Sequence, residues 1–452
     1  MTKSILFVSG RYVVENPYRE LRLKELFESR GKEVLFALPS RNLNQQGYPD
    51  SIKLDPVFKV AGAKWLDSVL DFKNWLKDCD GVLFGSWKSY GLLAQMARSS
   101  GKAVLNFNST SGLDHWVHGV SYSCVKGPFS KRQILYYHEQ LSGYGNLKKE
   151  QIIITGSIIH ERYAVNGITS YNKMNREEFC HNYNLDPLLP IVVLLPKGIG
   201  SLMKKIPRWF PDWDEKKCSA YNEWFLKKYA NICKLVNEAE CNLIVKMHPS
   251  AYASYLSKTN EEYDYWKRFP WVRVLAPEHV HQCYVNCDFG VGINTHSALD
   301  FGFFGKPFIY VDSDQIEPPP QLQFHINDLC DLPPGPSSEW SKNPRSHINP
   351  WFPSWLGFFS RVKDLPELVN GNLNFQITPE DRDRFIREFW YKADGQSANR
   401  IVEFVSEYIQ SWNSKKKIYQ IIGQRFSQVN DVPKSVYLSF RKKLSTVLGS
   451  IF

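Results

Sequence analysis

The chain has 452 residues, of which 43% are hydrophobic and 23% charged, the composition of an ordinary soluble globular protein. This length exceeds what one hydrophobic core usually serves, so we expect two domains of roughly 150 to 250 residues and an appendage. The net charge is +10, but residues 413–452 carry eight basic side chains against one acidic side chain, so the body of the chain lacks the charge of a nucleic-acid-binding protein.

The apolar segments and the cysteines indicate the compartment. No stretch approaches the roughly 18 uninterrupted apolar residues of a membrane-spanning helix. The first apolar run is only about five residues long, which is too short for a signal peptide. The nine cysteines are scattered singly, as is typical of reduced and mostly buried thiols. We therefore expect a cytoplasmic protein.

The first part of the chain alternates short apolar strands with helices. The helix patterns are "YRELRLKELFESRG" and "YGLLAQMARSSG". The strand patterns around them are "SILFVSG", "EVLFAL", "GVLFGS", "AVLNFN" and "QIIITGS". This alternation predicts a mostly parallel sheet covered on both faces. We assign residues 1–165 to this N-terminal α/β domain.

A second α/β series follows an irregular stretch at 157–188. Its strand patterns are "IVVLLPKG", "NLIVKMHPS", "VRVLAP", "DFGVGINTH" and "KPFIYVD", and a long helix runs through "EWFLKKYANICKLVNEAE". We assign residues 166–377 to this second α/β domain. Two such domains facing each other leave a cleft between their strand ends, which is a common place for a ligand.

The C-terminal part is predicted to be mostly helical. Residues 316–356 are rich in Pro, Trp and Ser, which predicts an ordered loop. Closing helices are expected over residues 378–412, with Thr378 as N-cap and Pro379 behind it. Residues 413–452 form a basic amphipathic tail. Two apolar helix faces are predicted in it, formed by Ile418, Ile422 and Phe426 and by Leu444, Val447 and Leu448.

A candidate general base lies in the N-terminal domain. The loop "NSTSGLDHWVHG" follows a strand, and open α/β sheets hold ligands at the carboxyl ends of their strands. The loop contains Asp114 next to His115, and either side chain can accept a proton near neutral pH if its pKa is tuned. A polar loop without chemistry is the alternative interpretation.

Three strand-end segments of the second domain carry groups suited to a phosphate. Lysines supply countercharge, and glycines let backbone N–H groups approach an anion. A hydroxyl-rich helix start offers free N–H groups, and a carboxylate one turn later can accept hydrogen bonds from a ribose. Together the segments predict a site for a nucleotide mono- or diphosphate. The residues are Lys197, Lys246, His248, Pro249, Thr295, His296, Ser297 and Asp300.

In order and spacing, the segment from about residue 83 to 405 resembles the GT-B glycosyltransferase-like group. That group includes teichoic-acid glycerophosphotransferases, capsule Kdo transferases and bacterial sialyltransferases. The resemblance rests on "VKMHPS", "NTHSALDFGFFGKP" and the closing "FWYKADGQSANRIVEFV". It implies two Rossmann-like domains facing a cleft, with the acceptor on the N-terminal side and the nucleotide donor on the other side.

The resemblance also implies an activity. The chain has "TSGLDHW" where the glycerophosphotransferases carry a catalytic "HGT" and the sialyltransferases an acidic motif, so by position the base is Asp114, with His115 second. The implied reaction is inverting transfer of a sugar from a nucleotide-activated donor to a hydroxyl of a surface glycan or lipid-linked acceptor. CMP- or CDP-linked donors are favoured by analogy, and UDP-linked donors are possible.

Three other functions are compatible with the same residues. They are transfer of glycerol or ribitol phosphate from a CDP-linked donor, epimerisation of a nucleotide sugar, and nucleotide binding without catalysis.

No metal or other cofactor is expected, because "DSD" at 312–314 is interpreted as a loop after a late strand. The cluster "HVHQCYVNC" lacks paired CxxC units, and its cysteines predict one buried helix face.

The basic tail is the predicted contact with the membrane. Its lysines and apolar faces suit docking on an anionic inner leaflet, where lipid-linked acceptors reside. The alternative is a helical arm that packs on the body of the protein or on a neighbouring subunit.

Overall fold

The chain divides into two compact units. A computed structural model describes residues 4–8, 18–40, 43, 62–85, 91–107, 120–140, 147–165, 174–196, 213–247, 261–276, 279–292, 298–310 and 377–427. One unit combines Met1–Glu161 with Asp394–Phe452, and the other is Arg162–Ala393. The chain therefore leaves the first unit and returns to it after completing the second.

The first unit contains a seven-stranded parallel sheet with the order β3-β2-β1-β4-β5-β6-β7. The strands are β1 Ser4–Val8, β2 Val34–Pro39, β3 Lys64–Leu66, β4 Cys79–Phe84, β5 Ala103–Phe107, β6 Tyr122–Val125 and β7 Ile152–Ile154. Five of them confirm the predicted strands. The strands β3 and β6 were not predicted, because "KWL" of β3 and "YSCV" of β6 mix polar and apolar residues and lack an apolar run.

Helices cover both faces of this sheet. They are α1 Tyr18–Ser29, α2 Val69–Asp78, α3 Gly91–Ser99, α4 Pro128–Gln140 and α5 Ile158–Val165, together with α12 Ser397–Ser427 from the C-terminal segment. One apolar core packs under α1 and α12, and the other packs under α2, α3 and α4. Both faces of the sheet are therefore buried, as a parallel sheet requires.

The long helix α12 is part of the core of the first unit. Its buried side chains recur at helical spacing, and each aliphatic one stabilises the fold by about 1.5 to 3 kcal/mol through burial. The indole Nε1 of Trp412 donates a hydrogen bond to the carbonyl of Gly101 at 3.1 Å. Gly81 of β4 leaves room for Ile409, since a Cβ there would lie 2.7 Å from the Ile409 side chain.

The second unit contains a five-stranded parallel sheet with the order β10-β9-β8-β11-β12. The strands are β8 Ile191–Leu195, β9 Asn242–Val245, β10 Val272–Val274, β11 Phe289–Gly292 and β12 Phe308–Tyr310. All five confirm the predicted series. The helices are α6 Arg176–Tyr183, α7 Glu215–Glu238, α8 Glu261–Trp266, α9 Val280–Asn286, α10 Ala298–Phe303 and α11 Pro379–Phe389.

A tight contact fixes α10 against the second sheet. Val291 of β11 belongs to the core under α7, so Gly290 lies on the opposite face. A Cβ at Gly290 would lie 2.5 Å from the ring of Phe308 and 2.6 Å from that of Phe301 in α10. Glycine therefore permits this close approach of α10 to the sheet.

The predicted C-terminal helical region is broken in two. Helix α11 begins at Pro379, so Thr378 occupies the predicted N-cap position. Between α11 and α12 the backbone turns through positive φ at Tyr391 (69°) and Gly395 (68°). The side chain of Asp394 accepts a hydrogen bond from the N–H of Gln396 at 3.1 Å, which supports the turn into α12.

Two further sequence-based expectations concern cysteines and the membrane. The eight cysteines in the described ranges are all buried, which confirms the predicted buried thiols, including the pair Cys283 and Cys287. Among the helices of the described residues, none is long and apolar enough to span a bilayer.

Candidate functional site

The strand order of the second sheet defines where a ligand is expected. The chain starts at β8, adds β9 and β10 on one side, and then continues with β11 and β12 on the other side. Ligands of open parallel sheets lie at the carboxyl ends of the strands where this reversal occurs. Here Leu195 of β8 pairs in register with Gly292 of β11. The fold thus places the carboxyl ends of β8 and β11 side by side.

Lys246 lies at the carboxyl end of β9, beside β8. Its N–H donates to the carbonyl of Leu194 at 2.9 Å, so the sheet ladder continues one residue beyond the strand. Its neighbours Val245 and Met247 belong to the core under α7, which places the half-buried Lys246 side chain on the opposite face. Burial raises the pKa of the Cys283 thiol well above its usual value, and the Lys246 charge acts against that effect. The Lys246 charge therefore acts on Cys283 of α9.

Asp300 lies in the first turn of α10, on the same face of the sheet. Its carboxylate accepts a hydrogen bond from the hydroxyl of the buried Tyr284 of α9 at 3.1 Å. The Tyr284 ring packs edge-on against Phe301, with ring centroids 5.1 Å apart. Because Tyr284 is fixed by packing, it orients the half-exposed carboxylate of Asp300.

The structure describes two of the predicted donor-side residues, and α9 connects them. The Lys246 charge acts on Cys283, and the hydroxyl of the next residue, Tyr284, donates a hydrogen bond to Asp300. A cation and an oriented carboxylate thus lie on one face at the carboxyl edge of a parallel sheet. The other predicted site residues lie outside the described residues: Asp114, His115, Lys197, His248, Pro249, Thr295, His296 and Ser297.

The cluster around α9 is accounted for by packing and hydrogen bonds. Nδ1 of His279 lies 2.8 Å from the hydroxyl of Tyr183. Cys283 and Cys287 are buried, and burial raises the pKa of the Cys287 thiol to about 12. A protonated thiol is a poor metal ligand. Within the described ranges there is no group of three or more His, Cys, Asp and Glu residues that could hold a metal ion.

The first sheet carries a buried ion pair that was not predicted from the sequence. Arg19 and Glu20 open α1, the helix that follows β1 at the point where the strand order of this sheet reverses. Nε of Arg19 donates to Oε1 of Glu20 at 2.6 Å, and its guanidinium lies 5.1 Å from the ring centroid of Phe107. Burial raises the pKa of the Glu20 carboxyl, and Arg19 opposes this.

Glu20 also has an unsatisfied oxygen. Among the residues that the structure describes, its buried Oε2 has no hydrogen-bond partner. The spacing of residues along the helix could have predicted this pair. Arg19 and Glu20 precede Leu23 by four and three residues, so they share its buried face. A charged pair on the buried face of a helix start therefore indicates a polar site inside the fold.

A second buried carboxylate, Glu161, joins two distant parts of the first unit. Its Oε2 accepts a hydrogen bond from the N–H of Ala398 at 2.7 Å, in the first turn of α12. Nε of Arg22 in α1 lies 3.6 Å from Oε1. Burial raises the pKa of the Glu161 carboxyl, while the Ala398 N–H and the Arg22 charge lower it by less. Glu161 therefore caps α12 at the cost of burying a carboxylate.

Comparison with known proteins finds similarity in fold. No protein-family profile matches the chain, and no curated protein matches it in sequence. The UDP-GlcNAc 2-epimerase of Methanocaldococcus jannaschii, in complex with UDP-GlcNAc and UDP, has a TM-score of 0.52 and 13% identity, covering 90% of this chain and 99% of that chain. This likeness shows the fold, two Rossmann-like domains of the GT-B type, and confirms the predicted α/β class.

Two further structures are similar over most of their length. The wall teichoic acid polymerase TagF has a TM-score of 0.47 and 14% identity, over 91% of this chain and 90% of that chain. The UDP-N-acetylglucosamine 2-epimerase of Rickettsia bellii has a TM-score of 0.49 and 11% identity, over 91% and 98%.

Replacing Glu161 by glutamine is expected to change how the stability of the first unit depends on pH. A folded-state pKa raised above the ordinary value of 4.5 means that the wild type loses stability as the pH rises through the folded pKa. The amide stays neutral and can still accept from Ala398. Urea unfolding is measured at about pH 4 and about pH 8. The free energy of unfolding of Glu161→Gln is expected to rise relative to that of the wild type at the higher pH.

The control for this measurement is Glu150→Gln, which removes one negative charge from an exposed side chain of the same unit. It is expected to alter the unfolding free energy equally at both pH values. If Glu161→Gln destabilised the protein by the same amount at both, the burial argument would be refuted.

Proposed function

We propose that the chain is a nucleotide-sugar-dependent glycosyltransferase. The observation that carries the proposal is the pair of described polar groups at the carboxyl edge of the second sheet. Lys246 supplies a cation there, and Tyr284 fixes the Asp300 carboxylate on the same face. The strand order makes this edge the expected ligand site of a parallel sheet.

The donor nucleotide is proposed to bind the second unit through its phosphate and ribose. The Lys246 ammonium neutralises phosphate charge, and Asp300 accepts hydrogen bonds from ribose hydroxyls. Tyr284 positions Asp300, so the carboxylate is not reoriented on binding. The remaining donor-side residues are proposals from the sequence: Lys197, His248, Pro249, Thr295, His296 and Ser297.

The proposed reaction is inverting transfer without a metal. Asp114 takes the proton from the acceptor hydroxyl, with His115 as the second candidate for this role. The hydroxyl oxygen forms a bond to the activated sugar carbon as the bond to the leaving phosphate breaks. The cationic groups of the second unit stabilise the charge that develops on that phosphate.

The proposed donor and acceptor follow from the sequence resemblance. It favours a CMP- or CDP-linked sugar, with transfer to a hydroxyl of a surface glycan or a lipid-linked acceptor. A UDP-linked donor is supported by the M. jannaschii epimerase, whose structure holds UDP-GlcNAc and UDP on a similar fold. Transfer of glycerol or ribitol phosphate from a CDP-linked donor uses the same nucleotide side and differs in the transferred group.

One class of nucleotide is expected to stabilise the protein against heat. The panel is CMP, CDP, UMP, UDP, GDP and ADP, measured by thermal shift on the wild type and on His248→Ala. A nucleotide at about 100 times its dissociation constant raises the free energy of unfolding by about 2.7 kcal/mol. We expect a shift with nucleotides of one base, its loss in His248→Ala and its reduction in Tyr284→Phe.

The matched control is His181→Ala, which removes an exposed imidazole from α6 of the same unit. It is expected to keep the full nucleotide shift. A shift of equal size in wild type, His248→Ala and Tyr284→Phe would place the nucleotide elsewhere, and the absence of any shift would remove the basis of the proposal.

A second candidate function is epimerisation of a nucleotide sugar, which the fold likeness to the M. jannaschii epimerase favours. A transferase needs an acceptor and releases free nucleotide only when one is present. An epimerase converts its substrate without any acceptor.

Turnover of CMP-, CDP- and UDP-linked sugars is therefore expected to release nucleotide only after a glycan acceptor is added. Because cationic side chains are proposed to stabilise the leaving phosphate, release should continue in excess EDTA. Epimerised sugar without acceptor would replace the transferase proposal. Loss of release in EDTA, restored by Mn²⁺, would refute the metal-independent mechanism.

The tail beyond the core is proposed to attach the enzyme to the membrane that carries its acceptor. Helix α12 is fixed to the first unit as far as Trp412, whose indole bonds to Gly101. The backbone stays helical to Ser427, and residues 413–452 carry eight basic side chains against one acidic side chain. Each basic residue near an anionic leaflet contributes about 1 kcal/mol of attraction.

A chain ending at Asn413 is expected to lose membrane binding without unfolding. It keeps Trp412 and the buried face of α12, so its urea midpoint stays near that of the full chain. Co-sedimentation with phosphatidylcholine vesicles, with and without phosphatidylserine, measures binding. The full chain is expected to pellet only with phosphatidylserine. Pelleting of both chains alike would refute the tail's role.

A further inference from the structure

A depression lies at the outer edge of the second sheet, beside β10. It has a volume of about 400 Å³, in the range of small-molecule sites, and is lined by the end of α6, by α8 and by β10. Strands lie about 4.8 Å apart, so β10, two strands from β8, is about 10 Å away from the point where the strand order reverses. The depression is therefore separate from the proposed nucleotide site.

The depression carries two cationic groups and no carboxylate. Arg273 is held by backbone carbonyls: Nε donates to Tyr183 at 3.0 Å, and Nη1 donates to Pro270 at 2.6 Å and Val272 at 3.3 Å. The Lys267 ammonium is exposed, 4.4 Å from the ring centroid of Tyr263. In the described part of the chain neither cation forms an ion pair, so the positive charge of the depression is not compensated by an acidic side chain.

The wall also contains polar groups that suit hydroxyls. Asn182 and Asn184 present exposed amides at the end of α6. Trp266 borders the depression from below, but it is fully buried in the core under α7 and so supports the wall without reaching a ligand.

We propose that this edge depression binds a polyhydroxylated anion, either a sugar acid or a sugar phosphate. The anionic group lies between Lys267 and Arg273, and the hydroxyls meet the exposed amides of Asn182 and Asn184. A neutral sugar leaves the two cations unpaired, and a bare anion leaves the amides unused. The site goes beyond the proposed transfer reaction, because it would hold an anionic glycan unit away from the reacting atoms.

Isothermal titration of the full chain tests the proposal with four probes: glucose 6-phosphate, glucuronate, glucose and inorganic phosphate. The first two distinguish a phosphate source from a carboxylate source. At least one of them is expected to bind at least tenfold more tightly than glucose and than inorganic phosphate. Lys267→Ala is expected to weaken that binding about fivefold to tenfold, because a charged hydrogen bond at an exposed position is partly screened.

The matched control is Lys227→Ala, which removes an exposed lysine of α7 in the same unit. It is expected to leave binding unchanged. Asn182→Ala, which removes one exposed amide of the wall, is expected to weaken binding of the sugar anion more than binding of inorganic phosphate.

Three outcomes would overturn the proposal. They are equal weakening by Lys227→Ala and Lys267→Ala, inorganic phosphate binding as tightly as the sugar anions, and no binding of either sugar anion to the wild type. His248→Ala separates this site from the nucleotide site, since it is expected to bind the sugar anion normally even if the nucleotide proposal fails. Loss of sugar-anion binding in His248→Ala would show that the two are one site.

Discussion

The first unit depends on a hydrogen bond between two residues that are 237 positions apart in sequence. The buried carboxylate of Glu161 caps the start of α12, and α12 then covers the face of the first sheet that contains Phe7 and Phe107. Arg400 strengthens the junction by donating to the carbonyl of Thr155 at 3.2 Å and by pairing with Asp394. A charged group is buried here because it fixes where α12 begins, and the apolar core then forms along the helix.

The two sheets share one topological rule with different consequences. In each, the strand order reverses beside the first strand, so polar groups after those strands meet at one edge. In the second sheet that edge carries a cation and an oriented carboxylate. In the first sheet it carries the buried Arg19 and Glu20 pair. The polar groups at this edge thus differ between the two sheets, although the strand order reverses in the same way in both.

Local patterns predicted much of the fold, and contacts distant in sequence account for what they missed. Strands such as β8 and β9 are buried on both faces and appear as apolar runs, so the presence of these strands and the position of Lys246 at the end of β9 followed from the sequence. The strand β6 was missed because it mixes polar and apolar residues. The role of Tyr284 was missed for another reason, since it depends on the contact between α9 and α10 on one face of the sheet. The edge depression joins residues 182–184, 263–267 and 272–274, which no local pattern connects.

The return of α12 to the first unit has a consequence for the order of synthesis. About 230 residues of the second unit separate Glu161 from the segment that covers the first sheet. Synthesis proceeds at about 5 to 20 residues per second. That face of the sheet therefore stays uncovered on the ribosome for roughly 10 to 50 seconds before α12 is made. During that time a surface lined by Phe7, Leu105 and Phe107 is open to other chains. The nascent protein is therefore a natural client for a chaperone until α12 has been made.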